Sequence, residues 1–154
     1  MIVTKEKILL TKEQETLLIP LFSKAQDNPH FQDEKAREIL QHLEYDFQQL
    51  RIPQKTAVMM RMRAKQFDNY AREFITAHPN ALILHLGCGL DSRCLRVQAD
   101  EAIWYDLDMP DVVALRRKFY SESDKYRMIA SSVTDLAWLD QEFPPERPVL
   151  IIAE

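Results

Sequence analysis

Glycine is the residue that this chain most nearly lacks. Only two of its 154 residues are glycine, whereas average usage of about 7% would give roughly eleven. Both stand in the segment LILHLGCGLDSRC, at Gly87 and Gly89, directly after an apolar run. A chain that otherwise avoids glycine therefore requires backbone freedom, or the close approach of another group to its backbone, at this one place.

Cysteine is equally scarce. Cys88 and Cys94 are the only two, and both lie in this same segment, which excludes a disulfide framework. Together with His85 they form the pattern His-x-x-Cys-x5-Cys, which matches no standard zinc spacing and lacks a fourth ligand. We therefore expect no metal site.

Long apolar runs and a strong net charge are also missing. No stretch approaches the ~18 apolar residues of a membrane span, and the N-terminal segment mixes charged with apolar side chains, unlike a signal peptide. The net charge of −4 argues against the strongly basic surface that is typical of nucleic-acid-binding proteins. These absences predict a cytoplasmic protein whose partners include neither nucleic acid nor a membrane.

What is present divides the chain into two parts. Residues 1–80 carry helical periodicity, and we predict three helices there. The first opens at a capping box in residues 11–14, the second starts at Asp33 and continues until Pro53 breaks it, and the third spans residues 56–77. We expect this part to form an N-terminal helical cap.

After residue 80 the pattern changes to short apolar runs separated by helical intervals. The runs ALILHL, AIWYDL, YRMIAS and PVLIIA have the length and composition of buried strands. Helices are expected at residues 91–98 and 110–120, the second with Pro110 in its first turn. Strands that alternate with helices form a parallel sheet with right-handed crossovers. We therefore predict an α/β fold whose residues 81–154 form a Rossmann-like parallel sheet.

The two glycines occupy the kind of turn that carries a nucleotide or nucleoside over the end of a parallel sheet. A strand, then Gly-x-Gly, then a helix allows a ligand to approach the backbone. An acid at the end of the next strand accepts hydrogen bonds from ribose hydroxyls. Asp106 and Asp108 follow Gly87 at close to the expected interval of about 20 positions, and spacing alone leaves both acids as candidates.

Residues 91 and 92 distinguish between ligand classes. A dinucleotide fingerprint has a third small residue where Ser92 stands, and Asp91 precedes it. A carboxylate at the mouth of this helix would repel a pyrophosphate. The residues therefore favour a nucleoside without phosphates, a description that S-adenosylmethionine fits, while a tight turn with no ligand is the alternative interpretation.

Four motifs in one order resemble the leucine carboxyl methyltransferase family. This family of S-adenosylmethionine-dependent enzymes includes methyltransferases of protein-phosphatase C-termini and O-methyltransferases of polyketide pathways of the tetracenomycin type. The motifs are LGCGLDSRCLRV, WYDLDMPDVVALRRKFY, SSVTDLAWL and VLIIAE, and RAKQFDNYAREFI resembles the helix before the family's glycine loop. The resemblance covers residues 55–154 and implies that the chain corresponds to the N-terminal part of a family member.

The resemblance implies a cofactor site around the glycine turn. Gly87, Cys88 and Gly89 would line the methionine and ribose portion of S-adenosylmethionine. Asp108, at the Asp-x-Pro position, would hold the ribose hydroxyls, which makes Asp106 the second choice.

Further cofactor contacts are implied elsewhere in the chain. Val133, Thr134 and Asp135 would lie beside the adenine, with Asp135 accepting a hydrogen bond from its amino group. Arg63 would contact the carboxylate of the cofactor, a pairing that suits a guanidinium, and Glu154 would lie near its amino group.

Each of these residues also has a purely structural interpretation. Arg63 could belong to a solvated helix face, Asp135 could cap the helix that follows it, and Glu154 could be an ordinary chain end. Trp104 and Trp138 are expected to belong to the core rather than to stack on a ligand.

The family's fold predicts the strand order third-second-first-fourth (3-2-1-4). It also implies two domains, a helical cap in residues 1–80 and a partial S-adenosylmethionine-binding domain in residues 81–154. Such a sheet is incomplete, and its fourth strand, residues 149–153, is an exposed apolar edge that is prone to pairing. We expect either that the chain is part of a longer methyltransferase or that a homodimer forms through residues 149–153.

The implied reaction is O-methylation of a carboxyl or hydroxyl group, with S-adenosylhomocysteine as the product. The acceptor would be a small molecule or the C-terminal carboxyl of a protein. Methyl transfer is an in-line displacement, for which the enzyme holds the nucleophile and the methyl group in line. No histidine carries a catalytic motif, so no general base is predicted, and His85 is expected to be buried within the first strand.

Two other functions remain as alternatives. A degenerate methyltransferase fold could serve as a non-catalytic module for protein association. A nicotinamide-dependent oxidoreductase is disfavoured by Asp91 and by the missing third glycine.

Overall fold

A computed structural model describes residues 6–7, 14–141 and 143–154 of the chain. The described residues divide into two compact units, one comprising those up to Gln66 together with Leu90–Ser92, the other comprising Phe67–Gly89 and Arg93–Glu154. Among these residues, no helix combines the length and the apolar character needed to cross a membrane. The cytoplasmic location stays a prediction.

The first unit is mainly helical. A 3-10 turn, Gln14–Leu17, leads into α1 (Leu18–Ala25), and α2 spans Glu34–His42. The two helices pack through buried apolar side chains, namely Leu18, Leu21, Ala25, Phe31, Ala36, Ile39 and Leu43. The predicted start of the second helix is confirmed, because the Asp33 side chain caps α2 by accepting a 2.9 Å hydrogen bond from the Ala36 amide. The capping box predicted for residues 11–14 falls largely outside the described residues.

The predicted second helix is too long. Instead of continuing to Pro53, α2 ends at His42, and the next two residues form strand β2 (Leu43–Glu44), parallel to β1 (Glu6–Lys7). Asp46 then caps a separate 3-10 turn, Phe47–Leu50, through the Gln48 amide. Apolar spacing cannot detect this break, because the turn keeps its apolar residues near helical positions.

Helix α3 (Gln54–Ala77) begins in the first unit, and from Phe67 onward it belongs to the second. The second unit also contains strands β3 (Leu82–Leu86), β4 (Ile103–Asp108), β5 (Tyr126–Ala130) and β6 (Val149–Ala153). Helix α4 (Arg93–Val97) follows β3, and α5 (Pro110–Arg116) follows β4 with Pro110 in its first turn. The four strands lie within one or two residues of their predicted positions.

The four strands form one parallel sheet in the order β5-β4-β3-β6. The predicted order 3-2-1-4 is therefore confirmed, with Leu84 of β3 opposite Tyr105 of β4 and Ile151 of β6. Ile83 and Leu84 point to opposite faces of the sheet and are both buried, so the sheet is covered on its two faces. The α/β, Rossmann-like character of the chain is established.

Alternating residues of the sheet contribute to two cores. One core contains Ala71, Ala81, Ile83, Val97, Ala102, Trp104 and Ile152. The other contains Leu82, Leu84, Leu107, Ile129 and Trp138. Both tryptophans belong to the core, as predicted. Because all four strands run in one direction, the segments after β3, β4, β5 and β6 meet at the carboxyl edge of the sheet.

Candidate functional site at the carboxyl edge of the sheet

The glycine turn forms the centre of this edge. Gly87 and Gly89 both have positive φ angles, +64° and +54°, a conformation that costs other residues steric strain. The amides of Gly87 and Cys88 both donate to the Leu107 carbonyl, at 2.8 and 3.2 Å, so the turn folds over toward β4. Among the described residues, and apart from Gly87 and its two chain neighbours, no heavy atom would lie within 4 Å of a Cβ atom placed on Gly87, which leaves open space beside this glycine.

Asp108, the last residue of β4, binds the glycine turn directly. Its Oδ2 accepts a 2.7 Å hydrogen bond from the Gly89 amide, and its Oδ1 accepts one of 2.8 Å from the Met109 amide. The carboxylate is partly exposed and is held in one orientation by the two amides. The structure thus brings together the glycine turn and the acid that spacing had suggested.

Asp106 lies in a different environment although it is only two positions away. It is fully buried, and its Oδ1 accepts from Trp104 Nε1 at 2.8 Å and from His85 Nδ1 at 3.1 Å. Its Oδ2 accepts from the Tyr126 hydroxyl at 2.6 Å and from the Arg116 guanidinium. These four donors occupy the acceptor positions of the carboxylate. Asp106, the second choice for the acid that holds the ribose hydroxyls, therefore cannot accept them.

The charge of Asp106 is stabilised by these partners. Burial acts to raise the pKa of this carboxyl, but Arg116 and the hydrogen bonds from His85 and Tyr126 outweigh burial and lower the pKa from 3.8 to about 2. Burial and the adjacent carboxylate raise the pKa of Tyr126, so its hydroxyl keeps the proton that it donates.

His85 is buried and is fixed in one tautomer. Arg93 Nη1 lies 3.1 Å from His85 Nε2, and because a guanidinium only donates, Nε2 is the acceptor. The ring proton is therefore on Nδ1, where it is donated to Asp106. Both ring nitrogens are engaged in the core, as was expected for a structural histidine.

The segment after β5 contains the three residues predicted to lie beside an adenine. Val133 is 42% exposed, and Thr134 and Asp135 are also exposed. Asp135 Oδ1 caps the 3-10 helix Leu136–Asp140 by accepting a 3.1 Å hydrogen bond from the Ala137 amide. The structural role considered for Asp135 is confirmed. The segment also joins the neighbouring strand, because the Ser131 amide donates to the Asp108 carbonyl at 3.0 Å.

Glu154, directly after β6, forms an ion pair with Arg93. Arg93 is fully buried, and its Nε donates to Asp68 Oδ1 of α3 at 2.9 Å. Asp68 also accepts from Arg96 Nε, at 2.7 Å. Arg93 therefore connects the ends of β3 and β6, and sequence reasoning missed it because nothing in the pattern DSRC distinguishes a buried arginine from an exposed one.

Two residues singled out by the sequence, Arg63 and Asp91, belong to the first, mainly helical unit. Arg63 lies on the part of α3 in that unit, with Nη2 3.6 Å from Met60 Sδ, and its role toward the cofactor stays a prediction. Asp91 is buried and forms a 2.7 Å salt bridge with Lys24. The premise that Asp91 would repel a pyrophosphate is therefore wrong, because Lys24 compensates its charge.

Helix α4 is shorter than predicted and begins at Arg93 rather than at residue 91. The Ser92 hydroxyl donates to Asp33 at 2.6 Å, so residues 91 and 92 are held by the helical unit instead of starting the helix. A helix of five residues has a weak dipole, and its N-terminus is therefore poorly suited to bind a pyrophosphate.

Comparison with known proteins gives consistent results. A family model described as leucine carboxyl methyltransferase matches residues 14–154. The chain is 44% identical over 154 residues to the tetracenomycin polyketide synthesis O-methyltransferase TcmP of Streptomyces glaucescens. It is 34% identical over 169 aligned positions to the S-adenosyl-L-methionine-dependent methyltransferase dpfgK of Gibberella zeae. Both alignments cover 97% of this chain and 57% of the relative.

Proposed function

Because the chain belongs to the leucine carboxyl methyltransferase family, we propose that it binds S-adenosylmethionine at the carboxyl edge of its sheet and acts as an O-methyltransferase. The product would be S-adenosylhomocysteine. The observation that carries this proposal is the pairing of the Gly89 amide with Asp108 beside the open space at Gly87. As the chain spans 57% of the length of both relatives, the activity is proposed for the protein to which this chain corresponds.

The residues at this edge fit an adenosyl cofactor. Each oxygen of Asp108 accepts a hydrogen bond from one backbone amide. Its second lone pair can accept a hydrogen bond from a ribose hydroxyl. The missing side chain at Gly87 allows a ligand to approach the backbone. Asp108 ends β4 and Asp135 lies in the segment after β5, and negative charge at this edge suits a sulfonium nucleoside better than a pyrophosphate.

The remaining contacts are proposed from the family motifs. Val133 and Thr134 would flank the adenine, while the carboxylate of Asp135, one oxygen of which caps the following helix, would accept from its amino group. Glu154 would lie near the amino group of the methionine portion, and Arg63 would bind its carboxylate.

When bound, S-adenosylmethionine would supply the methyl group of its sulfonium for in-line transfer to an acceptor oxygen, with the sulfur as the leaving group. The residues of this chain bind the donor, orient it and keep water away from it. His85 has both ring nitrogens engaged and cannot act as a general base there. We propose that the acceptor is a carboxyl or hydroxyl group of a small molecule or the C-terminal carboxyl of a protein. A carboxylate needs no general base, whereas a hydroxyl group can require one.

Replacement of Asp108 tests the proposal. We expect Asp108→Ala to weaken binding of S-adenosylhomocysteine by about 1–3 kcal/mol, because a charged acceptor for ribose hydroxyls is lost. Isothermal titration calorimetry of the purified chain measures this affinity. Asp124→Ala is the matched control, because it removes a fully exposed carboxylate of the same unit and should leave the affinity unchanged.

Calorimetry of the unchanged chain separates the competing functions. Binding of S-adenosylmethionine and S-adenosylhomocysteine, without binding of NAD, supports the proposal. Binding of NAD alone would favour the oxidoreductase. Binding of none of the three would favour the non-catalytic association module.

A further inference from the structure

The Arg116 guanidinium is buried beneath the glycine turn and donates hydrogen bonds to four residues, one of which is Cys94, whose Sγ lies 3.9 Å from Nη2. Its Nη1 donates to the Gly89 carbonyl at 3.0 Å, its Nε donates to the Tyr126 hydroxyl at 2.9 Å, and its Nη2 pairs with Asp106. The side chain is fully buried, and its Cζ lies 3.9 Å from the centre of the Tyr120 ring. A planar fork of five donors can satisfy several acceptors at once, and this one does so in a single fixed position.

The acceptors that hold Arg116 are themselves immobile. Asp106 Oδ1 accepts hydrogen bonds from Trp104 Nε1 and His85 Nδ1. Both of those side chains project from central strands of the sheet. The Tyr126 hydroxyl, which accepts from Arg116, donates to Asp106 in turn. The guanidinium therefore rests on a buried polar network within β3, β4 and β5, and its Nη1 has little freedom to leave the glycine turn.

Gly89 is consequently held on both sides. Asp108 accepts from its amide, and Arg116 donates to its carbonyl. Glycine has the weakest intrinsic backbone preference of all residues, so its φ of +54° is determined by such contacts. The amide and the carbonyl of Gly89 belong to two successive peptide groups that are joined by its Cα. A change in the φ or ψ angle of Gly89 would therefore displace the amide that orients the Asp108 carboxylate.

We propose that Arg116 is a positioning residue for the adenosyl site: by holding the Gly89 carbonyl, it keeps the glycine turn and Asp108 in the arrangement that binds the cofactor. This inference rests on the proposed function, which identifies the ligand of the site as an adenosyl cofactor. Its core, that Arg116 determines the conformation of Gly89, concerns residues of this chain alone.

Two variants separate the contact with the glycine turn from a general effect of substitution at this end of α5. Arg116→Lys keeps the charge but leaves a single ammonium, which would pair with Asp106 and release the Gly89 carbonyl. Arg117→Lys is the matched control, because the Arg117 side chain directly follows in sequence and is 48% exposed. We expect Arg116→Lys to weaken S-adenosylhomocysteine binding about tenfold, and Arg117→Lys to change it by less than about twofold.

A spectroscopic measurement tests the conformational part without any ligand. Because the chain has only two glycines, labelling with carbonyl-13C glycine yields two resonances, and Gly87 serves as the internal reference. In Arg116→Lys the Gly89 carbonyl should move upfield as it loses its donor, while Gly87 stays unchanged. In Arg117→Lys both resonances should remain close to their positions in the unchanged chain.

The outcomes distinguish this inference from the proposed function. If the unchanged chain binds S-adenosylhomocysteine and Arg116→Lys binds it equally well, the inference is overturned and the proposed function stands. If the unchanged chain does not bind it, the proposed function fails, and the Gly89 resonance still decides whether Arg116 holds the turn. Should Arg116→Lys not fold, scalar coupling between 15N-labelled Arg116 and the Gly89 carbonyl in the unchanged chain supports the inference if detected and overturns it if absent.

Discussion

At the scale of single residues, Asp106 and Asp108 have opposite environments although they lie two positions apart on one strand. Residues i and i+2 of a strand point to the same face of the sheet, so the difference is one of depth along β4. Asp106 lies inside the sheet with four donors, whereas Asp108 lies at its end and meets backbone amides of the turn. Burial therefore makes one acid structural and leaves the other accessible to a ligand.

The first prediction concerns the acid stability that Asp106 confers. Its pKa is lowered from 3.8 to about 2, so its stabilising contribution is complete above pH 4 and is lost as the pH falls toward 2. The difference corresponds to about 2 kcal/mol of unfolding free energy. Thermal unfolding between pH 4 and pH 2 should show a steep loss of stability in the unchanged chain and a flatter profile in Asp106→Asn.

The carboxyl 13C resonance of Asp106 gives a direct check on the unchanged chain. It should keep the chemical shift of an ionised carboxylate down to about pH 3. A titration midpoint at or above 3.8 would contradict the assignment of Asp106 as the buried partner of Arg116.

A second prediction at this scale concerns Gly87. Alanine there must adopt φ near +64°, which costs roughly 1–2 kcal/mol, whereas asparagine tolerates this conformation better. No atom would clash with the new Cβ, so Gly87→Asn should be more stable than Gly87→Ala in urea unfolding. Both side chains would occupy the proposed ligand space, and both variants should bind S-adenosylhomocysteine more weakly. Equal stability of the two variants would refute strain as the cause.

At the scale of secondary-structure elements, the strands could be predicted well and the helix ends less well. Short apolar runs bounded by turn residues have few alternative structures once they alternate with helices. After α2 ends, Leu43–Glu44 pair with Glu6–Lys7, which are distant in sequence. The residues before α4 likewise have distant partners, namely Lys24 for Asp91 and Asp33 for Ser92. No local pattern contains that information.

Strand β6 lies at the edge of the described sheet. Among the described residues it pairs only with β3, and its Val149 and Ile151 side chains are 48% and 59% exposed. We expect this edge to pair either with a further part of a longer methyltransferase or with a second copy of the chain, because an exposed apolar edge strand is a template for pairing.

Light scattering coupled to size-exclusion chromatography tests this association. If a second copy covers the edge, the unchanged chain should elute as a dimer at micromolar concentration, and Ile151→Lys should elute as a monomer, because a lysine at the edge opposes pairing. Leu95→Lys is the matched control, since Leu95 is 51% exposed on α4 and lies outside the edge strand. A monomeric unchanged chain at every concentration would rule out the dimer.

At the scale of the whole molecule, the second unit is organised by buried charge as well as by its apolar cores. Asp106 and Arg116 are both fully buried, and isolated charges in that position would be very costly. The cost is offset because every partner is hydrogen-bonded, from Arg96 and Asp68 through Arg93 and His85 to Asp106. One polar network thus connects α3 with the central strands of the sheet.

The sequence by itself determined the fold class, the strand order and the family, because these depend on local periodicity and on motifs in a fixed order. It also placed the glycine turn, since two glycines in a chain that otherwise lacks them mark where the backbone needs conformational freedom. Only the tertiary structure decided between Asp106 and Asp108, gave Asp91 its partner Lys24, and placed Arg93 and Arg116 beneath the site. Those outcomes depend on burial and on contacts between residues distant in sequence, and a charged residue type in a sequence does not reveal whether its charge is solvated or paired.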